Sequence, residues 1–540
     1  MPIKDNTRTI RIESVIGGHT QFANFSADDE FKGSYSIDPD FPSTDGQGDI
    51  DGLLPSGYLR PISYDKFSGE IVTDTPLWIV TQPKDNTRYV YGANGSSYSY
   101  DGNYSVSELA NIAGSGGNGA EYYDNYIYFA RNTSVARYGP LNGAPAMTTD
   151  YWDTTLGKTA LTDTTYPKVG YSEAIELPNH VMKRGKDGAL YFADVVGNQG
   201  VLHKIKTTKT TVEGDTDDGS TYNIVDFPYG MHPTAIEVFG DQMAVALYEG
   251  STSFGVAATR QKRAKVAFWN TSNTSTYDLI FSEEFPDPLI SALINANGVL
   301  YAISGNPGFS GVRISRYLGG HSFEQIAYLE AARLPSSGAI DAVGNRIVFG
   351  GSETILGAKG AVWAVGFMRS GISNAVFNIM GSNGNYDVTA LKYANLGGGA
   401  NRYIQPNLDA GFGYFLTGYS TNGLDRQYRG GSYSTAVWRS KEFKIGQPFK
   451  VKKIIIPMAG KAVVANVTIT PRIYFDEGTS SKTLTVINNT NYPSKRNVTI
   501  RPDGLTTGKH SFALHFEWSG TVLQTIGLPI TIEIELLDEE

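Results

Sequence analysis

The residues with the chemical capacity to do work in this chain are its clustered carboxylates. The segment DPDFPSTDGQGDID carries Asp38, Asp40, Asp45, Asp49 and Asp51, and GDTDDGS carries Asp215, Asp217 and Asp218. Oxygen-rich density of this kind suits a hard cation such as Ca2+. Neither segment keeps the D-x-[DN]-x-[DN]-G-x5-E spacing, so both read first as solvated polar loops. Glycoside hydrolysis would need two carboxylates at a defined separation. Asp287, Asp341 and Glu353, near expected strand ends, are the candidates, and no sialidase-type S-x-D-x-G-x-x-W box accompanies them. His19, His180, His203, His232, His321, His510 and His515 are dispersed. His510 and His515 share one expected strand, but their odd spacing puts them on opposite faces, whereas zinc wants three or four converging ligands.

The other catalytic signatures are weaker. GGNGAEY and NLGGGAN are Gly-rich but lack the Lys-Ser/Thr and the helix of a phosphate loop. A nucleophile elbow needs a strand–turn–helix setting, and helices are not expected here. With no Cys, disulfides, thiolate metal sites and Cys nucleophiles are excluded. The expectation is a non-enzymatic protein with no catalytic residue, no cofactor and no metal.

Tyrosines are the remaining reactive surface. Tyr89, Tyr91, Tyr98, Tyr100 and Tyr104 form one group, and Tyr122, Tyr123, Tyr126 and Tyr128 another. Exposed, they could stack on sugar rings or fill interfaces; the simpler reading places most of them in the core of the sheets.

These residues need a scaffold, and the scaffold is repetitive. DNYIYFA (124–130), DGALYFA (187–193), GDQMAVA (240–246), NGVLYAI (297–303) and GNRIVFG (344–350) each pair a tight turn with an apolar strand. A second strand follows each: SVARYGP, VLHKIKT, KVAFWNT, RISRYLG and AVWAVGF. Weaker copies flank them, DNTRYVYGA with SSYSYDG and FGYFLTG with LDRQYRG. The turn residues Asn125, Gly188, Asp241, Gly298 and Asn345 lie 63, 53, 57 and 47 residues apart. That spacing predicts four-stranded blades with variable loops. The expected fold is therefore all-β: a six- or seven-bladed β-propeller over 76–432. Inserts at 140–169, 207–226 and 371–400 are expected to project from one rim.

Two flanking regions differ in texture. Residues 1–75 hold a polar strand near Thr9, then a stretch rich in Asp, Ser, Pro and Gly, which reads as an extended N-terminal arm. Phe22, Phe25, Phe31, Tyr35, Phe41, Leu53, Leu54 and Tyr58 are spaced along it like anchors. From 433 to 540 the strands lengthen (449–458, 465–475, 482–487, 496–500, 510–518, 521–526, 529–536) and many alternate, which predicts a C-terminal antiparallel β-sandwich.

Composition narrows the partners. A net charge of −9 and a pI near 5.4 argue against nucleic-acid binding, which needs a basic surface. The basic stretch RQKRAK at 260–265 reads as a solvated loop. No run approaches the length needed to span a membrane, and the first residues lack the apolar core of a signal peptide. A soluble protein outside the usual secretory route is expected.

The order strand, Gly17-Gly18, polar arm and LLPSGYLRPI (53–62) is similar to structural proteins of tailed-bacteriophage virions that join such an arm to a propeller. The WRSKEF box from Trp438 to Phe443, followed by KIGQPFKVKKI, resembles a junction in phage tail and connector proteins. The resemblance implies a tail nozzle, hub or neck component, a homo-oligomeric ring docking on other virion proteins, with no catalysis. It places the protein in the virion after synthesis in the host cytoplasm. The interface residues expected are the eight arm anchors together with Trp438 and Phe443. The alternative is a propeller that binds or depolymerises host-surface glycans.

Overall fold

The computed structural model describes residues 6–13, 58–59, 63–71, 74–84, 87–100, 106–112, 117, 119–152, 180–196, 199–205, 212–213, 224–249, 264–271, 279–306, 309–343, 346–353, 359–367, 374–380, 388–394, 414–419, 423–428, 433–440, 442–460, 462–476, 480–502, 509–520, 522 and 524–537. The regular structure among them is all-β.

Each copy of the repeated motif forms a hairpin. Tyr123 pairs with Tyr126 around Asp124 and Asn125, both at positive φ (43° and 65°). Asn tolerates that region because its short polar side chain bonds locally. In every copy the apolar segment becomes the second strand of a sheet. One sheet runs Gly119–Tyr123, Tyr126–Ala130, Val135–Gly139 and Ala146–Thr148. The next holds Met182–Arg184, Leu190–Val196, Gln199–Ile205 and Val212–Glu213, with Val225–Tyr229 also paired to Gln199–Ile205. Met231–Phe239, Gln242–Glu249, Lys265–Asn270 and Ile280–Phe281 form another. An eight-stranded sheet follows in two halves. Leu289–Ala296, Val299–Gly305, Ser310–Gly319 and Ser322–Arg333 make the first, and Ile340–Val343, Arg346–Glu353, Lys359–Phe367 and Asn374–Met380 the second. Among the described residues the strand pairing between the halves is the pair Ala332–Glu353, and a shared apolar cluster joins Ile303 and Ile314 to Ile347 and Phe349.

The weaker copies also form sheets. Pro76–Thr81, Arg88–Gly92, Ser96–Tyr100 and Val106–Asn111 build one. Val388–Ala394, Tyr414–Tyr419 and Gly423–Tyr428 build the other, and its fourth strand, Ser63–Ile71, comes from the opposite end of the chain. The opening strands touch in cyclic order, from Pro76–Thr81 through each sheet to Val388–Ala394, which touches Pro76–Thr81 again. Of the expected inserts, 371–400 carries Asn374–Met380 and Val388–Ala394, so these residues are strand where a rim loop was expected. The two strands belong to two different sheets.

Packing between sheets is aromatic. Trp269, Tyr91, Tyr128, Tyr191, Tyr248 and Phe129 are among the largest fully buried side chains. Tyr91 donates to Ala130 O at 2.9 Å and Tyr123 to Gly188 O at 2.7 Å, each tying one sheet to the next. Tyr91 and Tyr123 thus contribute area while their hydroxyls stay satisfied.

Residues from 433 onward form a ten-stranded antiparallel sheet whose main path runs Thr7–Ile12, Ile530–Leu536, Phe443–Ala459, Lys509–Gly520, Val467–Phe475, Ser480–Thr483. Val467–Phe475 alternates buried and half-buried throughout, the pattern of a strand with one face on a core. That core contains Trp518, Phe512, Phe516, Ile454, Ile456 and Ile532, and burying each such side chain contributes about 1.5–3 kcal/mol. The chain start lies inside this unit: Ile10 pairs with Ile532, Ile12 with Ile530, and Tyr58 with Gly527. The expected arm therefore supplies strands to two separate sheets.

Candidate functional site

The opening strands place charged residues at the centre of the cycle. Glu121, Lys183, Glu237 and Asp341 each stand on the opening strand of a different sheet or half-sheet. Glu121, Glu237 and Asp341 share a local device. Each carboxylate accepts the N–H of the following residue, Tyr122 at 3.0 Å, Val238 at 2.9 Å and Ala342 at 3.0 Å, which holds it near the backbone. Lys183 Nζ donates to Glu237 Oε2 at 2.9 Å, and Glu237 is 7% exposed. Burial alone would lower the Lys183 ammonium. The carboxylates of Glu237, Glu121 and Asp341 outweigh it, so its pKa is raised and Lys183 stays cationic.

The other end of these strands is apolar and tight. Trp78 packs against a cluster that includes Val181 and Met231, and its Nε1 donates to Gly117 O at 2.7 Å. Gly338 approaches the Leu77 carbonyl so closely that a Cβ would lie 1.8 Å from the oxygen. The centre is thus charged at one end and occupied by an indole at the other. One ammonium among three carboxylates is an electrostatic staple between sheets and carries local negative charge.

A second polar cluster lies inside the 182–229 sheet. Asp194 Oδ2 is 3.2 Å from His203 Nε2, and Asp194 Oδ1 is 3.6 Å from His180 Nδ1, all three side chains being buried. His180 also places Nδ1 at 3.0 Å from Ala193 O and Nε2 at 3.1 Å from Asn132 O. Burial raises the Asp194 carboxyl, but the hydrogen bond from His203 and the two imidazoles more than offset it, so its pKa is lowered. Asn132 belongs to the neighbouring sheet's turn, so the cluster joins two sheets.

The residues expected to do chemistry fall into separate surroundings. Asp287 is held by Arg313 Nε at 2.9 Å and Ser304 Oγ at 2.6 Å, inside the 289–333 half-sheet. Asp341 sits at the ring centre near Lys183, in a different network. Glu353 is placed only by its pairing with Ala332 and Lys359. Asp38, Asp40, Asp45, Asp49, Asp51, Asp215, Asp217 and Asp218 lie outside the described residues, as do Phe22, Phe25, Phe31, Tyr35, Phe41, Leu53 and Leu54. Among the described residues, no group of three or more His, Asp or Glu could hold a metal ion. No helix among them is long and apolar enough to cross a membrane.

Trp438, expected at an interface, is instead 0% exposed in the C-terminal core. It pairs with Phe516 across the strands, and the two rings stack with centroids 5.7 Å apart. Phe443 packs against the same core and stacks on Phe512 at 5.3 Å. Both sit on strands with one face turned inward, which makes them packing residues within the chain. Tyr58 is placed by its pairing with Gly527. Tyr89, Tyr91, Tyr98, Tyr100, Tyr123 and Tyr128 are buried among the sheets, as the simpler reading expected. Sequence reasoning missed the Glu121–Lys183–Glu237–Asp341 cluster. The only signal was a charged residue three or four positions ahead of several motif copies.

No protein-family model matches the chain, and no curated protein matches it. Among solved structures, a streptogramin B lyase is similar with TM-score 0.39 and 13% identity, covering 68% of this chain and 97% of that one. The Pan2 WD40 domain of Neurospora crassa gives TM-score 0.40 and 9% identity, covering 68% and 94%. The Cps50 (Swd1) β-propeller domain of Myceliophthora thermophila gives 0.38 and 10%, covering 67% and 99%.

Proposed function

We propose that this chain is a non-enzymatic structural protein of a tailed-bacteriophage virion, a tail or neck component that assembles with itself and with neighbouring virion proteins. The observation that carries the reading is the placement of the N-terminal strands. Thr7–Ile12 and Tyr58–Leu59 pair within the C-terminal ten-stranded sheet, and Ser63–Ile71 completes the 388–428 sheet. One terminal segment thereby fastens both units, as suits a subunit that must keep its shape under load. Thr7–Ile12 also stands at the end of the sheet order with most of its side chains exposed. A strand so placed is a template for pairing with another chain. Tyr229 at 74% exposed and Leu318 at 57% add apolar surface of the kind that interfaces cover.

The finer architecture belongs to the same proposal. The cyclic contacts of the opening strands support a seven-bladed propeller, counting each half of the eight-stranded sheet as a blade. Ser63–Ile71 is its closing strand. The alternating burial of the C-terminal strands around one core supports a β-sandwich for the ten-stranded unit.

Size-exclusion chromatography with light scattering, and mass spectrometry of purified particles, test the function. A ring oligomer and its presence in particles are expected. A protein that stays monomeric at high concentration and is missing from particles overturns the reading.

A further inference from the structure

In three of the motif copies the strand register aligns the same position across a whole sheet. In the 289–333 half-sheet the row reads Ile294, Tyr301, Arg316, Glu324. In the 182–229 sheet it reads Lys183, Tyr191, Lys204, Glu213. In the 119–148 sheet it reads Glu121, Tyr128, Arg137, Thr148. A Tyr on the second strand is thus followed each time by a cation on the third. Arg316 reaches Glu324 at 2.7 Å, and Lys204 reaches Asp187 at 2.8 Å. Arg137 faces Thr148, where its counterparts face a carboxylate.

Arg137 is nevertheless held firmly. Its Cζ lies 4.3 Å from the centroid of the Tyr126 ring and 3.8 Å from that of Tyr151. Rings therefore cover the guanidinium, and the Tyr128 hydroxyl takes one of its hydrogen bonds, which leaves the rest of its N–H edge as the polar part still able to donate. Its Nε is buried with no hydrogen-bond partner among the described residues. Burial pushes the Tyr128 and Tyr151 phenols up, with Arg137 opposing, so both stay neutral and supply no counter-charge. The nearby Asp150 carboxylate pairs with Arg131.

We propose that Arg137 forms a binding site for the carboxylate of an acidic saccharide such as a hexuronate. A guanidinium offers parallel N–H groups that match a carboxylate's two oxygens. Here it is fixed before binding, so little side-chain freedom is lost on association. Tyr126 is half-buried and supplies apolar ring surface beside the guanidinium, against which a pyranose can pack. The site is independent of the virion role.

The test is calorimetric titration of the full chain with glucuronate, glucose and acetate. Saturable glucuronate binding with no glucose binding is expected. Thr148→Glu supplies the carboxylate that the equivalent rows contain and leaves Arg137 and both rings in place. It should weaken glucuronate binding by about tenfold or more, as should Arg137→Gln. Should Arg137→Gln fail to fold, Thr148→Glu decides the matter alone. Absence of glucuronate binding to the wild type, or unchanged binding by Thr148→Glu, overturns the site. Acetate binding as tight as glucuronate would overturn the saccharide class.

Discussion

Lys183 reaches from one sheet to the next and sets its Nζ 2.9 Å from Oε2 of Glu237. Removing the cation strands a carboxylate that is itself 7% exposed. Loss of one partner of a fully buried pair costs about 3–5 kcal/mol. The Lys183 side chain is 34% exposed, so solvent screening reduces the cost of Lys183→Met to about 1–2 kcal/mol. The double variant Lys183→Met/Glu237→Gln should recover part of it in chemical denaturation. Because the folded pKa of Lys183 is raised, its stabilisation is complete below the unfolded value of about 10.4 and is lost as pH rises through the folded one. The stability gap between wild type and Lys183→Met should therefore persist through neutral pH and narrow only in strong alkali. A gap that closes near neutrality would contradict the assignment.

Asp194 gives the opposite pH limb. Its carboxyl is lowered in the folded state, so its contribution is present above the unfolded value of about 3.9 and is lost as pH falls through the folded value. Asp194→Asn leaves His180 and His203 without their shared anion and should destabilise by about 2–4 kcal/mol at neutral pH. Thermal melts from pH 7 down to 3 should show the wild type converging on the variant at the acid end.

The hairpins were legible because turn chemistry is local: Asn125 and Gly298 announce positive φ beside apolar runs, and the structure has φ of 65° and 80° there. The long C-terminal strands were legible for the same reason, since alternation such as that of Val467–Phe475 is written within one segment. Ser63–Ile71 was not. SYDKFSGEI carries little apolar pattern, and its partner Gly423–Tyr428 is far along the chain, so nothing local reveals the pairing. The central cluster was hidden likewise, because Glu121, Lys183, Glu237 and Asp341 come together only when separate sheets close. Trp438 misled in the other direction. A Trp at a change of texture looks like a junction anchor, yet its ring fills a core whose other walls are Phe516 and Ile532.

Gly338 tests the tightness of the centre. A methyl there would lie 1.8 Å from the Leu77 carbonyl oxygen, a backbone atom that no rotamer change can move. Gly338→Ala should cost about 2–3 kcal/mol or more, as forced overpacking does. Gly319→Ala is the control. Its Cβ meets open space, and only its positive φ of 93° is strained, at about 1 kcal/mol. Equal melting temperatures for the two variants would refute the close approach.

Closure by Ser63–Ile71 yields the sharpest test of the architecture. Asp65 pairs with Arg426, and Lys66 with Asp425, so the strand supplies ladder hydrogen bonds to the outer side of Gly423–Tyr428. Asp65→Pro removes an N–H and imposes a fixed φ in the middle of that ladder, a change that costs about 3 kcal/mol where the N–H is bonded. If the sheets form a closed ring, the damage spreads beyond the 388–428 sheet, because Val388–Ala394 also contacts Pro76–Thr81. Hydrogen exchange should then show faster opening in Pro76–Thr81 as well as in Gly423–Tyr428. The ten-stranded sheet, with a core of its own, should keep its protection. Exchange that quickens only in Gly423–Tyr428 would mean that the ring does not depend on this strand for closure.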